Sequence, residues 1–345
     1  MNATTYAVDI AKSVFQLYWI EPETGEVHRK KLQRAKFCDF FAQLQPARVV
    51  MEACGGAHHW ARALARLGHQ VELLPPHKVK ESVSGNKDDA RDARAIWITA
   101  THRDVRRVAV KSVAQQGELF THRVRSHWVS VRTATVNLLR SMLYEFGLVA
   151  PKGRKTVIDW VGEHRAQIDE QLPPTVLGLI DQQLQALREI DERIAADEQV
   201  IKQALRGNQT ARELNKVPGI GPLGASALAA TLGNGAAWKN SREFACCQGL
   251  VPRHSGTGGK VRMGGISKRG DPYVRTLLTH GARNLVRTAN PPQWIAQMLQ
   301  RRPFNVVATA VAHKLARIAW SIAAHGGSFD PVRAFGARQA PAAAQ

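Results

Sequence analysis

Cysteine is scarce, with four in 345 residues. Cys38, Cys54, Cys246 and Cys247 show no paired C-x-x-C spacing, so neither a zinc ribbon nor a disulfide framework is expected. The chain has no run of about 18 apolar residues, which argues against a membrane-spanning helix and gives no membrane partner. The opening MNATTYAVDIAKSVF lacks a basic n-region and an apolar h-region, so it is not read as a signal peptide. These absences predict a reduced, cytoplasmic protein. Acidic residues are also short: 28 Asp and Glu face 48 Lys and Arg, for a net charge of +20. Each Lys or Arg that neutralises a phosphate releases condensed counterions, so the excess predicts a polyanionic partner, nucleic acid ahead of an anionic membrane.

The first hundred residues alternate strand and helix signals. Tyr6–Asp9 and Val14–Ile20 are β-rich, ETGEV is a turn, and a third strand continues through Leu32. FCDFFAQL reads as a short helix, ARVVMEA as a buried strand, HHWARALARLG as an amphipathic helix and HQVELLPP as a further strand. The order βββαβαβα predicts an α/β sheet led by an antiparallel meander.

From Leu119 to Phe146 apolar residues recur at helical steps, with Arg123, Arg125, Arg132 and Arg140 between them. Those arginines fit either a phosphate-lined groove or a solvated face. APKGRK interrupts the pattern. A second long helix is expected from Thr175 to Leu205, with Ile180, Leu187, Ile194 and Ile201 seven apart. Asp191 and Glu198 break its companion row. A short antiparallel coiled coil or helical hairpin, or an ordinary amphipathic helix on a globular core, accounts for both helices. The expected domains are 1–112, a helical region 113–207, a C-terminal domain 208–330 and a disordered tail 331–345.

Asp9 ends one expected strand, Glu52 ends another, and Asp88, Asp89 and Asp92 open a helix. Three Asp in five positions repel one another unless a cation sits among them. Mg²⁺ takes oxygen ligands and often shares them with substrate phosphates. Asp88/Asp92 and Asp89/Asp92 both fall on one helix face, so spacing does not choose between them. Asp88 also suits a helix N-cap.

The C-terminal third carries two more motifs. In VPGIGPLGASALAATLG, Pro218, Gly219 and Gly221 suit a tight turn between helices, whose N–H groups can meet a phosphate. In PRHSGTGGKVRMGGISKRG, Ser255 lies in a Gly-rich basic loop with His254, Lys260, Arg262, Lys268 and Arg269. A hydroxyl there can attack phosphorus if activated, and can equally be merely solvated.

YAVDIAK, VVMEACGG and NKDDARDA resemble the pattern of the DEDD transposases of the insertion-sequence one-ten family, eleven-eleven branch, also called bridge recombinases. The resemblance covers about residues 4–325. It maps the four acids onto Asp9, Glu52, Asp89 and Asp92, as metal ligands and catalytic residues, and puts Asp88 on a variable position. It implies Mg²⁺, with Mn²⁺ as a substitute, on a ribonuclease H-like (RuvC-like) α/β domain. A central coiled-coil arm and a mostly α-helical C-terminal domain with a helix-hairpin-helix-like motif would follow. The family's C-terminal segment with its catalytic serine maps onto Ser255. The loop HSGTGG differs by one residue from the commoner form, which keeps Thr257, and behind it Ser267, as competitors. The resemblance further implies donor and target DNA, a noncoding guide (bridge) RNA, a homodimer pairing into a homotetramer, and action at the nucleoid. Without it, a structure-selective endonuclease or a non-catalytic nucleic-acid-binding protein also fits.

Overall fold

A computed structural model describes residues 4–83 and 89–335. The chain forms two units, Met1–Val113 and Ala114–Gln345. In the first, strands β1 (Thr5–Asp9), β2 (Val14–Ile20), β3 (Val27–Gln33), β4 (Arg48–Glu52) and β5 (Gln70–Leu74) form a sheet of order β3-β2-β1-β4-β5. The pairs β1/β2 and β2/β3 are antiparallel, while β1/β4 and β4/β5 are parallel.

Side chains alternate across a strand, so each strand feeds two cores. Tyr6, Val8, Phe15, Leu17, Val49, Met51 and Leu73 pack on one face against α1 (Phe37–Ala42) and α2 (Ala57–Arg66), around Phe37, Phe41, Trp60 and Leu64. Ala7, Tyr18, Val50 and Leu74 face the other way. They pack against α3 (Pro76–Glu81) and α4 (Asp89–Thr101) through Val79, Ala93, Ile96 and Ala100. Burial on both faces explains why β1 and β4 read as near-continuous apolar runs. On the α4 face, Glu72 receives Arg48 Nε and Nη2, each at 2.9 Å, and also Arg107 Nε. Both arginines also donate to the Ala100 carbonyl near the end of α4. One carboxylate and two guanidinium groups thus tie the end of that helix to the sheet.

The second unit begins with α5 (Val113–Glu145), followed by α6 (Arg154–Glu163), α7 (Arg165–Gln171) and α8 (Pro174–Gly207). Helices α5 and α8 run antiparallel. Arg125 bonds Glu198 at 2.6 Å, and Arg132, seven residues on, bonds Asp191, seven residues back. Val136, Leu139 and Leu143 share a core with Ile180 and Leu187, and with Val157, Val161 and Ile168 of the intervening helices. The sequence pattern showed the two long helices but not α6 and α7.

A second core gathers α9 (Gln209–Asn215), α10 (Pro222–Leu232), α11 (Ser241–Cys247), α12 (Pro272–Val286), α13 (Gln293–Leu299) and α14 (Phe304–His325). Among the described residues, α14 alone is long and apolar enough to cross a membrane, with a mean hydropathy of 1.2. This qualifies the reading that the chain has no such run. Its apolar face, from Val307 to Ile322, is buried against the other helices of this core, which accounts for that hydropathy. Residues 331–335, expected to belong to a disordered tail, instead form α15 (Pro331–Phe335). Asp330 Oδ1 accepts from the Val332 and Arg333 amides and Phe335 is buried, which together hold this turn. The rest of the expected tail, 336–345, lies outside the described residues. Between α11 and α12 stands a two-stranded hairpin, β6 (Pro252–Thr257) and β7 (Lys260–Ile266).

Candidate active site

The register of β1 on β4 pairs Ala7 with Val50 and Val8 with Met51. Continued to the strand ends, it sets Asp9 beside Glu52, about 5 Å apart at the usual strand spacing. Strand parity puts both on the face of Ala7 and Val50, which α4 covers. That helix carries Asp92, half-buried one turn from its start. Burial and the Asp92 charge push the Glu52 carboxyl above its ordinary range. The Cys54 thiol is raised by burial and by Glu52 and Asp9. Helix α4 begins at Asp89, whose side chain, like all of Asp88, lies outside the described residues.

These are hard oxygen donors crowded at one sheet end, the chemistry Mg²⁺ takes. Among the described residues no three His, Cys, Asp or Glu side chains group tightly enough to hold an ion by themselves. Asp9, Glu52 and Asp92 share this sheet end as acidic oxygen donors, and Asp89 is the fourth residue the motif assigns. At the same sheet end, where β1 and β4 finish, β2 starts and β3 stops, lies a cleft of about 680 Å³. Lys12, Gln33 and Arg34 line it. Sequence reading missed this cleft, because its residues are distant in sequence and meet only through the meander.

Ser255 lies not in an open loop but on strand β6. Gly258 and Gly259 have φ of +58° and +78°, the left-handed pair that a two-residue hairpin turn requires. Ser255 pairs with Arg262 and Thr257 with Lys260. Partners directly across a hairpin, and residues two apart, share a face. Two hydroxyls and two cations therefore project from one face of an exposed hairpin, while His254 and Met263 occupy the other. Ser267, the weakest of the hydroxyl candidates, sits at the base, where its amide bonds the Val251 carbonyl. Its Oγ is buried without a partner among the described residues. Lys268 holds φ at +54°, and the Arg269 carbonyl accepts from Arg275, so this turn is braced rather than slack.

Residues 6–147 match a family model described as a transposase, the DEDD type of IS110. Residues 211–298 match the model of the Transposase IS116/IS110/IS902 family. The chain belongs to this IS110/IS116 family of DEDD transposases. It is 44% identical to a probable family 20 transposase of Pseudomonas aeruginosa, over 96% of this chain and all of the relative. It is 36% identical to the transposase for insertion sequence element IS1328 of Yersinia enterocolitica, over 95% and 99%. The transposase for insertion sequence element IS1111A of Coxiella burnetii is 35% identical, over 91% and 88%. The chain is thus an enzyme of DNA transposition.

Within this transposase the arginines expected at a nucleic-acid face have protein partners to differing degrees. Arg125 is engaged by Glu198, and Arg132 by Asp191, which also takes Arg154. Arg140 donates to the Ala150 carbonyl, and Arg123 lies 5.2 Å from the Phe120 ring centroid. The hairpin-like turn is built as its glycines suggested. Gly219 has φ of +88°, and Gly221 precedes α10, whose first residue is Pro222. The turn packs so closely on α12 that a side chain at Gly281 would strike the Gly219 carbonyl.

Proposed function

We propose that this transposase exchanges DNA strands through a covalent serine intermediate. Ser255 Oγ attacks a phosphodiester; the Oγ–P bond forms as the bond to the 3′ oxygen breaks, and the serine proton passes in net to the departing 3′-OH. The product is a 5′-phosphoserine link, which a 3′-OH reverses in the exchange, so no external energy source is consumed. The observation that carries this reading is the hairpin register. Arg262 and Lys260 stand across from Ser255 and Thr257, where they can hold phosphate oxygens beside a hydroxyl. Ser255 is preferred to Thr257 because the family motif maps there.

Asp9, Glu52, Asp89 and Asp92 would hold Mg²⁺ or Mn²⁺. When bound, the ion lowers the pKa of a coordinated hydroxyl or stabilises developing charge at phosphorus. Glu52 and Asp9, fixed by strand register, would set the geometry, and Asp92 would close it from α4. The meander-first sheet supports a RuvC-like fold. The α5/α8 pair supports a coiled-coil arm and, with the family resemblance, a homodimer assembling into a tetramer. Lys268, Arg269, Gly219 and Gly221 supply phosphate contacts to donor and target DNA. A noncoding bridge RNA reading the target, and action at the nucleoid in the cytoplasm, complete the proposal. Arg125 and Arg132 are better assigned to the helix pair than to phosphate.

The test is incubation with guide RNA, Mg²⁺ and a suicide DNA substrate, followed by a denaturing gel. A protein–DNA adduct should form and should vanish in Ser255→Ala and in Asp89→Ala. Cleavage without an adduct would instead indicate an endonuclease, and loss of the adduct in Thr257→Ala alone would move the nucleophile. Binding without cleavage would leave a nucleic-acid-binding protein.

A further inference from the structure

A concentration of positive charge in one concavity lies away from both the carboxylates and the serine hairpin in sequence. A cavity of about 530 Å³ opens between α14, α13 and the segment leading into α15. Its wall carries Lys314 and Arg317, one turn apart on α14, and Arg333 from α15. The one carboxylate on that wall, Asp330, accepts from the backbone amides of Val332 and Arg333. None of the ion pairs among the described residues engages these three cations. Lys314 and Arg317 are half-buried and Arg333 is exposed, and clustered cations repel one another unless an anion joins them. The strain is visible at two residues. Burial and Arg317 push Lys314 below its ordinary range, and burial with Arg317 and Arg242 does the same to His313.

The remaining polar groups on the wall are mostly donors. Trp294 lines the cavity, and its buried indole N–H has no acceptor among the described residues. Lys314 Nζ stands 4.6 Å from the Trp294 ring centroid. Ser241 contributes a hydroxyl, already 3.4 Å from Arg317 Nε. A ligand that satisfies several N–H and O–H donors and neutralises guanidinium groups is an oxyanion with multiple oxygens. Guanidinium forks match phosphate geometry in particular. The volume falls within the range of ligand sites, well above a single water.

We infer that this cavity binds a phosphate of a nucleic-acid strand, with Arg317, Lys314 and Arg333 on its oxygens and the Trp294 N–H completing the shell. The site lies in the C-terminal unit and would hold a strand phosphate that is not the one cleaved. It rests on the DNA substrate of the family and not on the serine chemistry. An adduct assay can therefore fail while this site stands, and the reverse.

The test follows the eight indole N–H signals of the ¹⁵N-labelled full chain, with Trp294 assigned through Trp294→Phe. One arm titrates inorganic phosphate at constant ionic strength against chloride. The other titrates a short single-stranded oligonucleotide. The Trp294 signal should move saturably with both, and the oligonucleotide should bind at least about tenfold more tightly, as further contacts to the strand add to the phosphate term. Arg317→Gln and Arg333→Gln should each weaken both titrations about tenfold, the loss of one charge-assisted bond. Arg333 is exposed on a short helix, so its variant keeps the core of the unit intact. A Trp294 signal that never moves, or that titrates in both variants as tightly as in the unsubstituted chain, overturns the site. A response to phosphate with no tighter response to the strand overturns the strand assignment.

Discussion

His122 gives the sharpest test of how the second unit is held together. It is 1% exposed, with Nδ1 3.0 Å from the Tyr273 hydroxyl and Nε2 3.1 Å from Ser226 Oγ. One imidazole thereby joins α5, α10 and the first turn of α12, just after the turn that closes the hairpin. Burial, with a smaller push from Arg125, lowers its pKa from 6.5 to about 4. Well above pH 6.5 the ring is neutral in folded and unfolded chains alike, and titration contributes nothing. As pH falls below 6.5 the unfolded chain gains a proton that the folded chain refuses, so stability declines until the folded ring protonates near pH 4. At pH 5 the loss amounts to about 2 kcal/mol, and below pH 4 it levels off near about 3.4 kcal/mol. Hydrogen exchange in α5, α10 and α12, corrected for intrinsic rates, reads this as a lower opening free energy at pH 5.0 than at pH 7.5. In His122→Gln that decline should shrink by about 2 kcal/mol. An equal decline in both proteins would refute the argument that a buried neutral histidine staples these helices.

Three further outcomes follow from particular contacts. Gly281→Ala should destabilise the C-terminal unit by about 1–3 kcal/mol in thermal melts, although an alanine inside a helix is ordinarily favoured over glycine by about 1 kcal/mol. A neutral or stabilising result would mean that Gly219 and α12 are not in contact. Arg262→Gln should slow adduct formation about 100-fold, while His254→Gln on the opposite face changes it less than about threefold; similar effects would refute the register. Glu72 is held below the usual carboxylate range by Arg48 and Arg107 against the opposing cost of burial. Its contribution is present above that range and lost as pH falls through the lower folded value. Glu72→Gln should cost about 2 kcal/mol at pH 7 and flatten the acid limb of unfolding of the first unit, seen by circular dichroism; an unchanged acid limb would count against the tie.

The sheet was legible because short β-rich, apolar runs and strand-ending acids are local signals. Asp9 and Glu52 could be placed at strand ends from VDIAK and VMEAC alone. Their adjacency could not, since it depends on the register of β1 against β4. The hairpin was misread. Glycine-rich, basic SGTGGKVRMGG has the composition of a loop, although two left-handed glycines between two short runs are themselves a hairpin signal. That signal would have put Arg262 opposite Ser255 before any coordinates. The cluster at Lys314, Arg317, Arg333 and Trp294 was out of reach. Its members come from three helices, and nothing in the spacing of one predicts the approach of another.

The α5/α8 pair shows the same limit most clearly. The sequence presented two separate oddities: arginines interleaved in one apolar helix, and acids breaking the apolar row of another. Read singly, the arginines suggested a nucleic-acid groove or a solvated face, and the acids a short coiled coil rather than a long zipper. The structure makes each the explanation of the other, because Arg125 meets Glu198 and Arg132 meets Asp191 across an antiparallel pair. Each pair is only partly exposed, so removing one partner leaves a charge with little water around it, which costs more than the pair contributes. Both pairs depend on register: sliding either helix by one residue would turn both cations away from both acids. The positive charge that marks this chain as a nucleic-acid partner is therefore not uniformly available to nucleic acid. Part of it aligns the helices, and that part is not free for the phosphate contacts proposed at the serine hairpin, the glycine turn and the α14 cavity.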